Sequence, residues 1–419
     1  MTTAQLPLPQ AVAPAAITGE PRLRVAVVTP ELHRTGGTER ATAELLESLS
    51  REHDICLYSI QWNGSNRSPI CFHPVPVVSG PGVLRHLNFF LAASLAVWRG
   101  EQRHGAYDCI YSPGANCAQV NVSTAWFCQA RQRDLLRSGR FQPPPAGFND
   151  RLRRFHRTLS ANWYALLEGW FYASRRLEKV ICPAYVVRRD LMDCYRVSPD
   201  RLVVAHSGVD TSTFNRERRL ELRDASRREL GIAPGDFCFL FVGTDWVRKC
   251  LVTVLDALAC VPGALLYAVG PYDPEPYRRY AKRAGVAGRV FFPPRRADVI
   301  SYYAAADAVV APSFYEPFGM VPLEATACGV PAIITRQMGV AEVLDENSAI
   351  LLDDPADSAA LAPAMRRLMD DPDLRQRLAL QGELRAGLSS WDSINQASLD
   401  AIRVTASQRR AAARRRVGA

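Results

Sequence analysis

The sequence has almost no lysine. Lys179, Lys249 and Lys282 are the whole complement among 51 lysines and arginines. That bias is first a matter of source composition. It also means that a lysine kept at a phosphate-like position is less readily dismissed as filler. No Cys-x-x-Cys pair occurs among the 11 cysteines. Their odd, irregular count points to free thiols in a reducing compartment, not to a disulfide framework. Cys56, Cys109, Cys182 and Cys238 lie in apolar runs and read as small buried hydrophobes. Zinc-finger spacing, aromatic-glycine RNA-binding patterns and a basic region feeding a heptad are all missing. The formal net charge of +9 therefore does not point to nucleic acid, and anionic small molecules or lipid surfaces are left as its partners. No apolar run approaches the roughly 20 residues of a spanning helix. The longest, 87–98, is short and is followed by Arg99 and Glu101. The only Asp-x-Asp, Asp371-Pro372-Asp373, falls between two predicted helices. That place is remote from the strand ends, so these residues read as a turn and cap, and neither metal nor cofactor is expected.

What is present is an alternation of short β-branched runs with helical patterns, in two blocks. Such alternation signals parallel sheets covered by helices, an α/β architecture. In the first block RLRVAVVTP (22–30) reads as a strand, Gly36-Gly37 as a turn, and 38–51 as a helix with Ala41, Leu45, Leu46 and Leu49 inward. Further strands are expected at 54–60, 73–78, 107–112, 119–124, 178–182 and 201–205. The second block opens on FCFLFVGT (237–244), with strands at 264–269, 289–292, 307–311, 331–334 and 349–352. The polar stretch 206–235, with Ser207-Gly208 and Pro234-Gly235 turns, reads as the crossover. The expected partition is a disordered tail at 1–20, not a signal peptide; a first Rossmann-like domain at 21–205; a second at 206–390; a closing helix at 391–407; and a basic tail at 408–419. Two doubly wound sheets in tandem bring their strand carboxyl ends around one cleft, where ligands bind.

The motifs fall at those strand ends. In DAVVAPSFYEPFGMVPLEATACGVP (307–331) a buried strand runs into a loop carrying Glu316. Phe318, Gly319 and Met320 then open a helix whose free N–H groups and dipole attract phosphate. Gly319 permits close backbone approach. Glu324, one turn in, is spaced to accept hydrogen bonds from a diol such as ribose. In FVGTDWVRKC (241–250) a strand ends at Gly243, and Arg248 with Lys249 is placed at the start of the next helix. A guanidinium fork and an ammonium point charge there suit a diphosphate.

The pair of glutamates with seven residues between them, framed by P-S-x-x-E-P-F-G and A-x-x-x-G-x-P, resembles the signature of family 4 glycosyltransferases of the GT-B fold. The resemblance extends from about residue 22 to 388. It implies two Rossmann-like domains facing a central cleft and a retaining, metal-independent hexosyl transfer from a nucleotide sugar. Glu316, Lys249 and Arg248 would be catalytic. Gly36, Gly37, Gly243, Arg248, Lys249, Glu316, Phe318, Gly319, Met320 and Glu324 would hold the donor. The stretch V-G-T-D-W-x-R-K looks nearest to lipopolysaccharide core glucosyltransferases, which favours a UDP-sugar, a glycan or glycolipid acceptor and a cytoplasmic enzyme, with peripheral attachment at the inner membrane face as an option. A GDP-mannose-dependent mannosyltransferase, a sugar-nucleotide epimerase and an inert nucleotide-sugar-binding partner are the alternatives.

Three departures stand out. Thr244 occupies a position where many relatives carry a second arginine, and Cys250 one where glycine usually follows the lysine. The first-domain histidine of many relatives has no counterpart in VNVSTAWFCQA (120–130), which leaves Trp126 or Ser123 to fill its space. His206, at a strand end in VVAHSGVD, reads as a hydrogen-bonded structural residue, not a base. Eight arginines between 131 and 157, followed by Trp163, Tyr164, Trp170, Phe171 and Tyr172, make an anionic membrane surface a further candidate partner.

Overall fold

The computed structural model describes residues 22–32, 37–62, 70–78, 80, 82–140, 150–294 and 298–417. Residues 1–20, expected as a tail, lie outside them, as does Gly36. The first block forms a seven-stranded parallel sheet: β1 (Arg24–Val28), β3 (Asp54–Ser59), β5 (Ile70–Pro74), β6 (Cys109–Ser112), β7 (Val122–Thr124), β8 (Lys179–Cys182) and β9 (Leu202–Val204), in the order β5-β3-β1-β6-β7-β8-β9. A short pair, β2 (Glu31–Leu32) and β4 (Gln61–Trp62), lies beyond β1 and β3. The strands are apolar almost throughout because helices cover both faces. On one face lie α2 (Gly82–His104), α3 (Gln129–Arg137), α4 (Asp150–Ala173) and α5 (Tyr185–Tyr195). On the other lies α1 (Gly37–Glu52), where Ala41, Leu45, Leu46 and Leu49 are all buried.

The second block forms a six-stranded parallel sheet: β10 (Phe237–Val242), β11 (Ala264–Val269), β12 (Val290–Phe291), β13 (Ala308–Ala311), β14 (Ala332–Thr335) and β15 (Ile350–Leu352), ordered β12-β11-β10-β13-β14-β15. Its helices are α6 (Arg216–Leu230), α7 (Leu251–Ala259), α8 (Glu275–Arg283), α9 (Ile300–Ala305), α10 (Met320–Ala327), α11 (Ser358–Asp370) and α12 (Pro372–Gly387). The charge-rich crossover is largely helix. Asn215 caps α6 by accepting from the Arg218 N–H at 2.8 Å. The arginines of α6 do not stay in solvent: Arg223 and Arg227 reach Asp307 at the amino end of β13. Asp371 is a cap, accepting the Leu374 N–H at 2.8 Å.

The chain then returns to the first sheet through α13 (Trp391–Val417). Gly208 does more than turn the chain. A Cβ on it would lie 2.1 Å from the Ser390 carbonyl carbon, and the Val209 N–H donates to Ser389 O at 2.9 Å. The two crossings between sheets therefore run against each other at a position only glycine tolerates. Helix α13 buries Ile394, Ile402 and Ala406 against α1 and the first sheet. The expected basic tail from 408 is a correction: these residues continue the helix through Val417. Arg410 pairs with Asp108 at 2.6 Å and Arg409 with Glu178 at 3.5 Å, so carboxylates of the first domain keep the arginines in register. No helix among the described residues is long and apolar enough to cross a membrane.

Candidate active site

Two loops at the carboxyl ends of adjacent strands build the site. The first follows β10. Gly243 ends the strand, and Trp246 anchors the loop, buried between Tyr272, Tyr277 and Phe292. Arg248 and Lys249 do not open α7, as spacing predicted. They lie in the hydrogen-bonded turn before it, and Cys250 stands at φ 60°, in the left-handed region, where an α-helix cannot continue. Cys250 thus takes the conformation that glycine would adopt without strain. The turn presents both cations sideways to the next loop instead of along a helix.

That loop follows β13. Phe314 N–H donates to Arg248 O at 3.1 Å, which ties the loops together. Glu316 Oε2 then accepts from Lys249 Nζ at 2.6 Å and Arg248 Nη1 at 3.0 Å, while Arg248 Nη1 also reaches Tyr315 O at 2.6 Å. Only 14% of the Glu316 side chain, 12% of Arg248 and 7% of Lys249 is exposed, so the cluster is poorly screened by water. Burial alone would push the Glu316 carboxyl up. The Arg248 and Lys249 charges outweigh it and hold the carboxyl at about 2. Burial would likewise lower Arg248, and the Glu316 charge reverses this.

Gly243 makes the space for Lys249, since a Cβ there would sit 2.2 Å from Lys249 Cδ. Gly243→Ala is therefore expected to displace the ammonium while sparing the fold. If Lys249 acts on the donor, turnover should fall up to about 10²-fold, the cost of a misplacement of about 1 Å. Steady-state kinetics beside urea unfolding would check this; full turnover would show that Lys249 is not held where it acts.

Gly319 precedes α10 at φ 107°, where a Cβ would meet Met338 Cε at 2.9 Å and Glu316 Cγ at 3.3 Å. Phe318 is buried in the second-domain core, so its side chain packs and only its backbone is offered to the cleft. Met320 packs against apolar clusters of both domains. Glu324, in the second turn of α10, accepts from Tyr303 Oη at 2.8 Å, which orients its carboxylate. Gly37 opens α1 on the first-domain side. The structure thus brings Gly243, Arg248, Lys249, Glu316 and Gly319 together.

The first domain closes on this cluster with residues that spacing did not reveal. Phe127 packs edge-on to Tyr315 at 4.8 Å between centroids and lies 5.6 Å from the Arg248 guanidinium carbon. Tyr315 Oη accepts the Cys128 N–H at 3.0 Å. Phe127, not Trp126 or Ser123, reaches the cationic loop: Ser123 is buried in the sheet and Trp126 packs into the core shared by α1 and α13. His206 is structural, as read. Its Nε2 lies 2.9 Å from Glu342 Oε2, and the Glu342 carboxylate also accepts the Tyr185 and Val186 N–H groups at the start of α5. The only sequence signal for Tyr315 was its place directly before Glu316. Phe127, Tyr303 and Glu342 carried none, because their partners are remote in sequence.

Beneath the Cys128 segment, Glu168 accepts from Gln129 N–H and Tyr195 Oη, both at 2.8 Å. Desolvation nevertheless pushes its carboxyl up from 4.5 to about 8. The folded chain keeps this proton at neutral pH, whereas the unfolded chain loses it near 4.5. Stability should therefore fall as pH rises from about 4.5 to about 8. Glu168→Gln is expected to flatten that slope in urea unfolding across the range. An unchanged slope would assign the proton uptake elsewhere.

Comparison with known proteins matches this architecture. The model for glycosyl transferases group 1 matches residues 223–385, and that for glycosyltransferase family 4 matches residues 35–213. A D-inositol 3-phosphate glycosyltransferase of Thermomonospora curvata is 36% identical over 227 residues, 49% of this chain and 52% of that one. The chain thus spans about half the length of that curated relative. The crystal structure of WaaG, a glycosyltransferase involved in lipopolysaccharide biosynthesis, gives a TM-score of 0.73 at 23% identity, covering 89% of this chain and 98% of that one. Anabaena HepE in complex with UDP-glucose gives 0.68 at 18% identity, covering 91% and 100%. The solved structures establish the shared two-domain GT-B fold, and the two family models between them match most of the first sheet and the whole of the second.

Proposed function

We propose that this chain transfers a hexosyl group from a nucleotide sugar, with a UDP-sugar favoured, to a hydroxyl of a glycan or glycolipid, with retention at the anomeric carbon. The observation that carries the reading is the Arg248–Lys249–Glu316 cluster beside the start of α10. The acceptor oxygen bonds to the anomeric carbon as the bond to the diphosphate breaks, on the same face of the sugar. The acceptor's proton passes to a diphosphate oxygen. Such a reaction needs positioning and charge stabilisation more than covalent chemistry. Lys249, Arg248 and the backbone at Phe318–Met320 stabilise the departing diphosphate. Glu316 holds the two cations in place and faces the transferred sugar, and Glu324, oriented by Tyr303, holds the ribose. The preference for UDP is supported by the shared fold of Anabaena HepE, which was solved with UDP-glucose.

A thermal-shift panel of UDP-, GDP- and ADP-sugars tests the donor, because a ligand bound only by the folded state raises its stability by mass action. A UDP-sugar is expected to raise Tm, and Glu324→Ala to abolish most of that rise. No response to any of the three would defeat the assignment. Product analysis without acceptor separates transfer from epimerisation, which would release a changed sugar.

A glycolipid acceptor is favoured by two outward-facing apolar stripes. Leu84, Leu91, Leu95 and Trp98 are exposed on α2, and Leu159, Leu166 and Trp170 on α4. The helices are neighbours, with Phe90 and Trp170 edge-on at 5.7 Å. Apolar stripes beside arginines suit the surface of an anionic bilayer. The chain is expected to sediment with phosphatidylglycerol vesicles, and Leu166→Glu/Trp170→Glu to leave it in the supernatant. Equal partitioning of both proteins would return the acceptor to a soluble class, such as the phosphorylated polyol named for the Thermomonospora relative.

A further inference from the structure

We infer that Cys56, Cys71 and His73 form a zinc site on the outer edge of the first sheet. Strands β3 and β5 are parallel, with Cys56 opposite Cys71 and Tyr58 opposite His73. Side chains directly opposite in a pair share a face, and alternate residues of one strand do too. Both thiols and the imidazole therefore converge on the same face. Cys71 Sγ lies 3.3 Å from His73 Nε2, and the three ligand atoms all lie within 4.8 Å of one another. A tetrahedral ion with Zn–S near 2.3 Å and Zn–N near 2.0 Å needs ligand-to-ligand edges of about 3.6 to 3.8 Å. Small side-chain rotations would satisfy all three edges without moving the backbone.

The setting agrees with the donor set. His73 is stacked on Tyr58 with ring centroids 4.7 Å apart and planes 14° from parallel, which fixes the imidazole. Tyr58 is held in turn by a 2.7 Å hydrogen bond to Tyr107. Two sulfurs and one imidazole nitrogen are soft to borderline ligands and select Zn²⁺ over Mg²⁺ or Ca²⁺. Cys71 is exposed at the edge strand, which gives the ion its entry path and leaves the fourth position to water. Binding displaces the two thiol protons, so affinity falls with falling pH. The ion would fasten edge strand β5 to β3. The ligands all belong to the first sheet and none to the Glu316 cluster, so the role is distinct from transfer.

The test is Co²⁺ titration of the reduced full chain, followed by Zn²⁺ competition and a Tm measurement. One Co²⁺ per chain is expected, with a sulfur-to-metal charge-transfer band and tetrahedral visible bands, displaced by Zn²⁺ and accompanied by a rise in Tm. Cys71→Ser and His73→Asn should each remove the band or weaken Zn²⁺ binding by at least about tenfold, the least that loss of even an outer-shell partner costs. Cys260→Ser, which removes an exposed thiol of the second domain, should change nothing. The inference is overturned by absence of uptake, by equal uptake in His73→Asn, or by a band that disappears with Cys260→Ser.

Discussion

Lys249→Ala is expected to lower turnover by about 10² to 10³-fold, the effect of deleting one preorganised donor to developing negative charge. Lys249 is one of three lysines in the chain, and its side chain is only 7% exposed. A buried ammonium cannot be replaced by mobile counter-ions, and Arg248 already spends a donor on Tyr315 O. Glu316→Ala should also cost turnover, and stability with it. It leaves Lys249 buried without a counter-charge and Arg248 with only Asp245, 3.9 Å away, a loss of roughly 3 to 5 kcal/mol for a pair broken on one side. The double variant Lys249→Ala/Glu316→Ala removes part of that imbalance. It should recover stability relative to Glu316→Ala without recovering activity. Near-normal turnover in the double variant would overturn the assignment of both residues. Steady-state kinetics with donor and acceptor varied separately, beside urea unfolding, distinguishes the outcomes.

The second large effect is on stability alone. Asp307 accepts from Arg223 Nη2 at 2.5 Å, Arg227 Nη1 at 3.2 Å and the Cys238 N–H at 2.8 Å. Arg227 is almost buried and also donates to the carbonyls of Ala233, Asp236 and Ala305. Asp307→Ala would leave that guanidinium charged, buried and unpaired, at a cost of about 3 to 5 kcal/mol. Urea unfolding should show it as a lower midpoint. Asp307 lies at the amino end of β13, whereas Glu316 follows its carboxyl end. Turnover per folded molecule should stay unchanged. A drop in turnover at full stability would contradict this separation of support from chemistry.

Both effects bear on what could be read from residues in order. The β-branched runs and helical periods were enough for two α/β blocks, because strands buried on both faces must be apolar throughout. The strand ends and the helix start at Gly319 were legible for the same reason: glycine and local spacing mark them. Arg248 and Lys249 were expected at the start of α7, and they lie in the turn before it. Nothing in V-R-K-C signals that a cysteine would take a left-handed conformation and hold both cations in a turn. The basic carboxyl terminus looked like a tail because its partners, Asp108 and Glu178, are supplied by distant strand-flanking positions.

The sequence by itself determined the parallel α/β layout, the helix start at Gly319 and the spacing of the carboxylate pair Glu316 and Glu324. These depend on periodicity and neighbours, which a linear chain displays. Tertiary structure alone decided that Glu316 is the counter-ion of Arg248 and Lys249, that Phe127 and Tyr315 close the first domain onto that cluster, and that Cys56 meets Cys71 and His73. Each is a meeting of segments brought together by parallel strand pairing or by the two chain crossings at Gly208. Their geometry depends on register and burial, which no spacing within one segment encodes.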